Sequence, residues 1–187
     1  MSVSLIDEIV VVNDGSIDGT AAVAKALGVR VVTLPSNHGK GYAMHMGIKA
    51  CNADILAFSD ADIIGLQPKH LLDLIEPLLF DPELAMVVGK FTGGRLATDF
   101  SQNLVPSISG QRALRQSLLK GLDLATVRFG AEIALTKHAK AKGAKICEVA
   151  LNDLSHVMKE EKLGMMKGLT ARMKMYQEMY RIMKPEK

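Results

Sequence analysis

The stretch VVVNDGSIDGT, Val10 to Thr20, decides how the rest of the chain is read. Ile9–Val12 is a short branched apolar run, the signature of a buried parallel strand. Asn13–Gly19 is turn chemistry, and Ala21–Leu27 then has helical character. A strand that ends in acids and glycines and passes directly into a helix is where open α/β sheets gather ligands, at the carboxyl ends of their strands. Taken alone, an ordinary βα turn with Asp18 or Thr20 capping the helix accounts for the same residues.

Outward from this stretch, strand and helix signals alternate. Val29–Leu34 reads as a strand, PSNHGKG as a loop, Tyr42–Cys51 as a helix, and Ile55–Ser59 as a strand ending in DADI. Pro68–Leu79 is a helix with Leu71, Leu72, Ile75 and Leu78 on one face, and Met86–Gly89 is a further strand. The order predicts an α/β fold with a mostly parallel sheet and right-handed crossovers. Residues 92–110 form a polar, Gly-rich stretch, and loops of that length are usually functional or mobile. Gln111–Lys120 and Ala131–Lys142 are expected to be helices and Lys145–Val149 a late strand. The organisation expected is one core domain over residues 1–157 and an amphipathic helical tail over 158–187.

The 187 residues suffice for one full core, and no apolar run approaches the ~20 residues of a membrane span. The N-terminus lacks a basic segment followed by an apolar signal core, so a cytoplasmic protein is expected. Cys51 and Cys147 are too few for a disulfide framework and lack metal-site spacing, which makes them buried thiols on this reading. Positive charge concentrates in residues 159–187, which hold eight Lys or Arg against four Glu. No aromatic-interleaved basic stripe accompanies it, and a nucleic-acid partner is not expected.

Two further turns carry chemistry. In FSDADI, Asp60 and Asp62 stand at i and i+2 where a strand ends, so two carboxylates share one side of an extended backbone. Hard oxygen ligands with room left for water and phosphate oxygens suit Mg²⁺ or Mn²⁺ carrying a diphosphate. In NHGKGYA, Gly39 and Gly41 flank Lys40, which would let backbone approach a ligand while the ammonium reaches a phosphate. A helix N-terminus follows, and it favours anions further.

The three turns in succession, NDGSIDGT, NHGKGYA and DAD, resemble the nucleotide-binding half of the GT-A glycosyltransferases of family two. The resemblance is strong over residues 8 to about 64 and weaker in the later stretches TGGRLA, SGQRALR, FGAEIAL and LSH. It extends to polyprenyl-phosphate mannosyltransferases and glucosyl-3-phosphoglycerate synthases. The resemblance implies a metal-dependent glycosyltransferase that uses a nucleotide-diphosphate sugar. Asp14, with Gly15 and Ser16 of the same turn, would hold the nucleobase side of the donor, and Lys40 its base or phosphate side. Asp60 would face the ribose and bound water, while Asp62, with His156, would ligate Mg²⁺ or Mn²⁺. Glu132 would lie on the acceptor side, as a base in an inverting enzyme or as an acceptor-holding group in a retaining one. Gly94 and Arg95 would bind an anionic acceptor, a small phosphate-bearing molecule or a lipid phosphate.

Two departures from the family pattern matter. The chain starts at what would be the family's second strand, so the fold is expected to be N-terminally shortened, and Asn13 replaces the commoner first Asp. An exposed sheet edge follows from the first, with a homodimer as its cover. A non-catalytic nucleotide-sugar-binding or interaction module is the alternative reading. A phosphatase of the haloacid dehalogenase type also carries D-x-D at a strand end, but expects Thr where Ile64 stands, and a nucleotidyltransferase lacks its Gly-rich signature here. In the tail, Leu163, Met166, Met173, Tyr176, Tyr180 and Met183 form one apolar stripe. Docking on the protein itself is expected, with peripheral contact to an anionic membrane as the other use of such a helix.

Overall fold

The computed structural model describes residues 5–92 and 109–156, with the side chains of Thr92, Ser155 and His156 excepted. Gly94, Arg95 and the tail from 158 lie outside the described residues. The chain runs β1 (Val10–Asp14), α1 (Thr20–Ala26), β2 (Arg30–Leu34), α2 (Lys40–Ala50), β3 (Ile55–Phe58), β4 (Ile63–Ile64), α3 (Pro68–Phe80) and β5 (Leu84–Thr92). After the undescribed segment come β6 (Arg112–Arg115), a 3₁₀ turn at Gln116–Leu119, α4 (Ala131–Ala141), β7 (Lys145–Asn152) and β8 (Ser155–His156).

The central sheet has the order β3-β6-β5-β7. β5 and β7 are parallel, whereas β6 runs antiparallel to both its neighbours, with Leu114 opposite Leu56 on one side and Met86 on the other. β6 corrects the helix expected over Gln111–Lys120. Gln, Arg, Ala and Leu are good helix formers, so local propensity favours a helix there. The slot between β3 and β5 overrides it, because a strand in that slot buries Ala113 and Leu114 completely, one on each face of the sheet.

Alternation along β5 and β6 feeds two core layers. Met86, Val88 and Leu114 meet Leu56, Leu118, Leu124 and the α4 residues Ala131, Leu135 and Ala139 on one face. Val87, Ala113 and Leu151 meet Leu74, Ile75 and Leu78 of α3 on the other. Each fully buried Leu contributes roughly 1.5–3 kcal/mol relative to exposure. α3 starts at Pro68 behind a Gln67–His70 capping box, and the Arg115 guanidinium donates to the carbonyls of Leu78, Asp81 and Leu84 at its far end. Its inward face centres on Leu74, Ile75 and Leu78, while Leu71 and Leu72 are only half-buried.

β1 and β2 pair in parallel as a separate two-stranded sheet, from Val10 opposite Arg30 to Asp14 opposite Leu34. β1 is half-buried rather than buried as expected, because β2 is its sole strand partner among the described residues and α1 buries only Ala24. Helix α2 joins the two sheets. Gly47 presses on Val12, where an added Cβ would lie 3.2 Å from the Val12 side chain, while Met44 and Ile48 pack on the first core layer. Cys51 and Cys147 are unpaired and half-buried, short of the full burial expected. No helix among the described residues is long and apolar enough to cross a membrane.

Candidate active site

The carboxyl end of β1 builds the first wall. The Asn13 side chain accepts the Ser16 amide at 3.1 Å, closing the NDGS turn. Asp14 turns its carboxylate onto the loop after β2, accepting the amides of His38 and Gly39 at 2.8 Å each. Gly15, with φ +71°, lies so close to that loop that a Cβ would stand 2.4 Å from the Ser36 carbonyl carbon. Asp14 and Gly15 thus fix the approach to Lys40, and Ser16 is exposed beside them. Asp18 accepts the Thr20 amide and hydroxyl within the turn, but the N-cap of α1 is Gly19, which has no side chain, so neither Asp18 nor Thr20 is the cap anticipated from the sequence.

The glycines around Lys40 meet protein backbone, not open space for a ligand as their spacing suggested. A Cβ on Gly39 would lie 2.9 Å from the Arg128 carbonyl oxygen, and one on Gly41 would overlap the Val127 carbonyl at 1.8 Å. The first turn of α2 is therefore clamped against the segment that leads into α4. That clamp brings two helix N-termini together, with Lys40 opening α2 and Glu132 in the first turn of α4. A buried carboxylate is favoured at the positive end of a helix dipole.

Lys40 joins the site. Its ammonium lies 2.5 Å from Asp60 Oδ1 and pairs also with Glu132 Oε1. Asp60, just past β3, is held from behind by the bend that leads into β6, since a Cβ on Gly110 would fall 2.1 Å from Asp60 Oδ2. Beneath, the fully buried Arg112 donates to the Glu132 carbonyl at 2.9 Å, to Thr136 Oγ1 at 3.4 Å and twice to the Ser109 carbonyl. Asp60, Lys40, Glu132 and Arg112 alternate in sign, gathered from four separate elements.

Burial opposes the charges of Lys40, Glu132 and Arg112, and attraction between opposite charges outweighs it for the first two. Burial lowers the Lys40 pKa, but Glu132 and Asp60 together raise it above that of an ordinary lysine. Burial raises the Glu132 pKa, but Lys40 more than reverses this and holds the carboxyl below the usual range. Burial brings the Arg112 guanidinium down to about 10, so it stays cationic at neutral pH. A carboxyl with a depressed folded pKa stabilises the fold above its unfolded value and loses that contribution as pH falls through the folded value. Urea unfolding from pH 7 to pH 3 is therefore expected to show stability falling once the pH drops below the ordinary glutamate pKa of about 4.5. Glu132→Gln should flatten that decline; an unchanged acid limb would remove Glu132 from the cluster's energetics.

Asp62 lies in the turn after Asp60 and leads into β4, where Ile63 pairs with His156 of β8. The backbone thus carries His156 to the position beside the second acid of the DAD stretch, from 94 residues further along the chain. Two carboxylates two residues apart, one of them already bearing a cation in the form of Lys40, are a donor set that fits Mg²⁺ or Mn²⁺. Among the described residues no group of three or more His, Cys, Asp or Glu side chains converges as a complete metal cage.

Gly110 and Arg112 were not singled out from the sequence, although both lie in the quoted SGQRALR. The available signal was the Ser-Gly break followed by the short R-A-L-R run, which as a strand puts one Arg and one apolar residue on each face. His38 and Tyr42 were missed too; their rings stack with centroids 4.6 Å apart on the loop that Asp14 holds.

A sequence profile described as Glycosyl transferase family 2 matches residues 4–129. The chain is 32% identical over 161 residues to the glucosyl-3-phosphoglycerate synthase of Petrotoga mobilis, an alignment covering 70% of this chain and 49% of that protein. It thus spans about half the length of the curated relatives it matches. The fold is similar to that of glucosyl-3-phosphoglycerate synthase from Mycobacterium tuberculosis crystallised with Mn²⁺, uridine-diphosphate-glucose and phosphoglyceric acid. The TM-score is 0.76 at 26% identity, over 97% of this chain and 71% of that one. The same enzyme with Mg²⁺ and uridine diphosphate gives a TM-score of 0.69 at 26% identity, over 90% of this chain and 69% of that one. With the three strand-end turns placed around one carboxylate–lysine cluster on a fold of this kind, the chain belongs to glycosyl transferase family 2.

Proposed function

We propose that this chain transfers a sugar from a nucleoside-diphosphate sugar to a small phosphate-bearing acceptor, with Mg²⁺ or Mn²⁺ on Asp62 and His156. Uridine-diphosphate-glucose and phosphoglycerate are the donor and acceptor that its structural relatives suggest first. The observation that carries the reading is Lys40 held between Asp60 and Glu132 where β3, α2 and α4 meet. The bound metal supplies neutralisation of the diphosphate and of the nucleoside diphosphate that leaves. Lys40 offers a mobile cation to the same phosphates, and the α2 N-terminus adds its dipole. Glu132, ionised and paired, is a weak base at neutral pH, and its role here is to hold a hydroxyl of sugar or acceptor rather than remove its proton. Asp60 adds an oxygen to the metal when the donor is bound, Asp14 fixes the base side through the loop it holds, and Gly94 with Arg95 receives the acceptor phosphate.

A thermal-shift panel of nucleoside diphosphates and their sugars, with and without Mn²⁺, tests this, since a ligand of the native state raises the midpoint. A metal-dependent rise with one nucleobase, followed by release of nucleoside diphosphate once phosphoglycerate is added, is the expected result. Binding without turnover on any phosphate-bearing acceptor would favour a non-catalytic binding module. No shift with any nucleotide would reject the donor reading. Gly110→Ala should weaken metal-dependent nucleotide binding about tenfold, roughly 1.4 kcal/mol, by pushing Asp60 off its seat. Calorimetric titration giving the parent's affinity would show that Asp60 tolerates the displacement.

We place the protein in the cytoplasm, in keeping with two unpaired thiols. A homodimer is the proposed assembly, with exposed Ile9, Val23 and Leu27 in the covered surface, since β1 has one strand partner among the described residues. Light scattering that gives a monomer at high concentration would reject it. The tail over 158–187 is proposed to dock on the protein, with contact to anionic vesicles as the competing result of a binding assay.

A further inference from the structure

We infer that Lys40 is an exchangeable counter-cation that keeps a divalent metal off Asp60 until a diphosphate arrives, so that metal and nucleotide enter the site together. The inference rests on the donor reading above and gives it an order of binding. Of the three charged groups in contact, two have little freedom. Asp60 is backed by Gly110, whose missing Cβ is the space its carboxylate occupies. Glu132 is buried in the first turn of α4, with the Arg112 guanidinium bonded to its carbonyl. Lys40 is the group that can move, a point charge on a four-carbon stem at the start of α2 and partly open to solvent.

Asp60 Oδ1 accepts the ammonium at 2.5 Å, so a metal ligated through Asp60 and Asp62 would stand next to that ammonium and share its acceptor. Two cations at that distance repel strongly in a half-buried site. A diphosphate removes the conflict by giving the ammonium a second set of anionic oxygens at the α2 N-terminus. Glu132 keeps the ammonium within the site while Asp60 passes to the metal. Arg112 cannot act as a replacement lock, because its guanidinium is bonded to Ser109, Glu132 and Thr136 below the cluster. Linkage then requires that the metal tighten the nucleotide by the same factor by which the nucleotide tightens the metal.

The test is Mn²⁺ affinity of the full chain, by electron paramagnetic resonance of free Mn²⁺, with and without uridine diphosphate. Lys40→Met should bind Mn²⁺ alone ~10-fold more tightly than the parent, while the factor by which the nucleotide raises Mn²⁺ affinity falls by at least ~10-fold. The double variant Lys40→Met/Glu132→Gln leaves no unpaired buried carboxylate and keeps the measurement open should the single variant misfold. It should show the same gain in Mn²⁺ affinity. A gain present in the single variant and absent from the double would mark a site created by Glu132, and would overturn the inference. Unchanged or weaker Mn²⁺ affinity in the folded variants would overturn it as well. Should the parent bind uridine diphosphate with Mn²⁺ while the variants show no gain, the ordering fails and the donor reading stands. Should the parent bind no nucleoside diphosphate with Mn²⁺, both fail.

Discussion

Arg112→Met is expected to destabilise the protein by about 3–5 kcal/mol, the cost of breaking a buried charged network by removing one member. The guanidinium is completely buried and serves the carbonyls of Ser109 and Glu132 and the Thr136 hydroxyl. Methionine fills part of the volume but gives none of these acceptors a donor, and each buried acceptor left unpaired costs roughly 1–3 kcal/mol. It also removes a buried positive charge that attracts Glu132 and Asp60. Thermal unfolding should show a midpoint lower by roughly 10 °C, taking about 2–4 °C per kcal/mol for a chain of this size. A midpoint within about 2 °C of the parent would mean that the four bonds are replaced by water at little cost. Thr136→Val, which deletes one acceptor of Arg112 and the hydroxyl's own bond to the Glu132 carbonyl, should lie between the two.

The second large effect concerns ligand binding and should leave the fold intact. Asp62→Ala is expected to abolish metal-dependent nucleotide binding, a loss of at least about 100-fold or roughly 2.7 kcal/mol. Asp62 stands in the turn between β3 and β4, outside both buried core layers, so unfolding behaviour should change little. Without its carboxylate, Asp60 alone is left on that turn, and Asp60 is shared with Lys40. Titration of uridine diphosphate in the presence and absence of Mn²⁺ reads the effect directly. An affinity and metal response equal to the parent's would place the metal elsewhere. Asp60→Asn offers a contrast, because the amide keeps the seat beside Gly110 but loses the ion pair to Lys40.

Much of this molecule is written locally. The runs Val10–Val12 and Ile55–Phe58, each followed by acids and glycines, determine two strands and their functional ends by composition alone, because branched apolar residues and turn formers act over a few positions. The NHGKG stretch places the start of α2 to within two residues, the helix opening at Lys40 where Tyr42 was expected, and the DAD spacing puts two carboxylates on one turn. These are short-range properties, and the structure keeps each of them.

What depends on partners distant in sequence was decided by tertiary structure. Gln111–Leu119 has helical propensity throughout, yet Arg112–Arg115 is a strand because β3 and β5 offer backbone partners on both sides and two apolar faces to fill. The purpose of Gly110 is visible only once Asp60, 50 positions earlier, lies against it. Gly39 and Gly41 look like phosphate glycines by spacing, but the backbone of Val127 and Arg128 occupies the space they leave. The charge alternation of Asp60, Lys40, Glu132 and Arg112 has no trace in sequence order, since each member comes from a different element. Burial makes their mutual attraction strong, and burial is a property of the packed fold rather than of any local stretch.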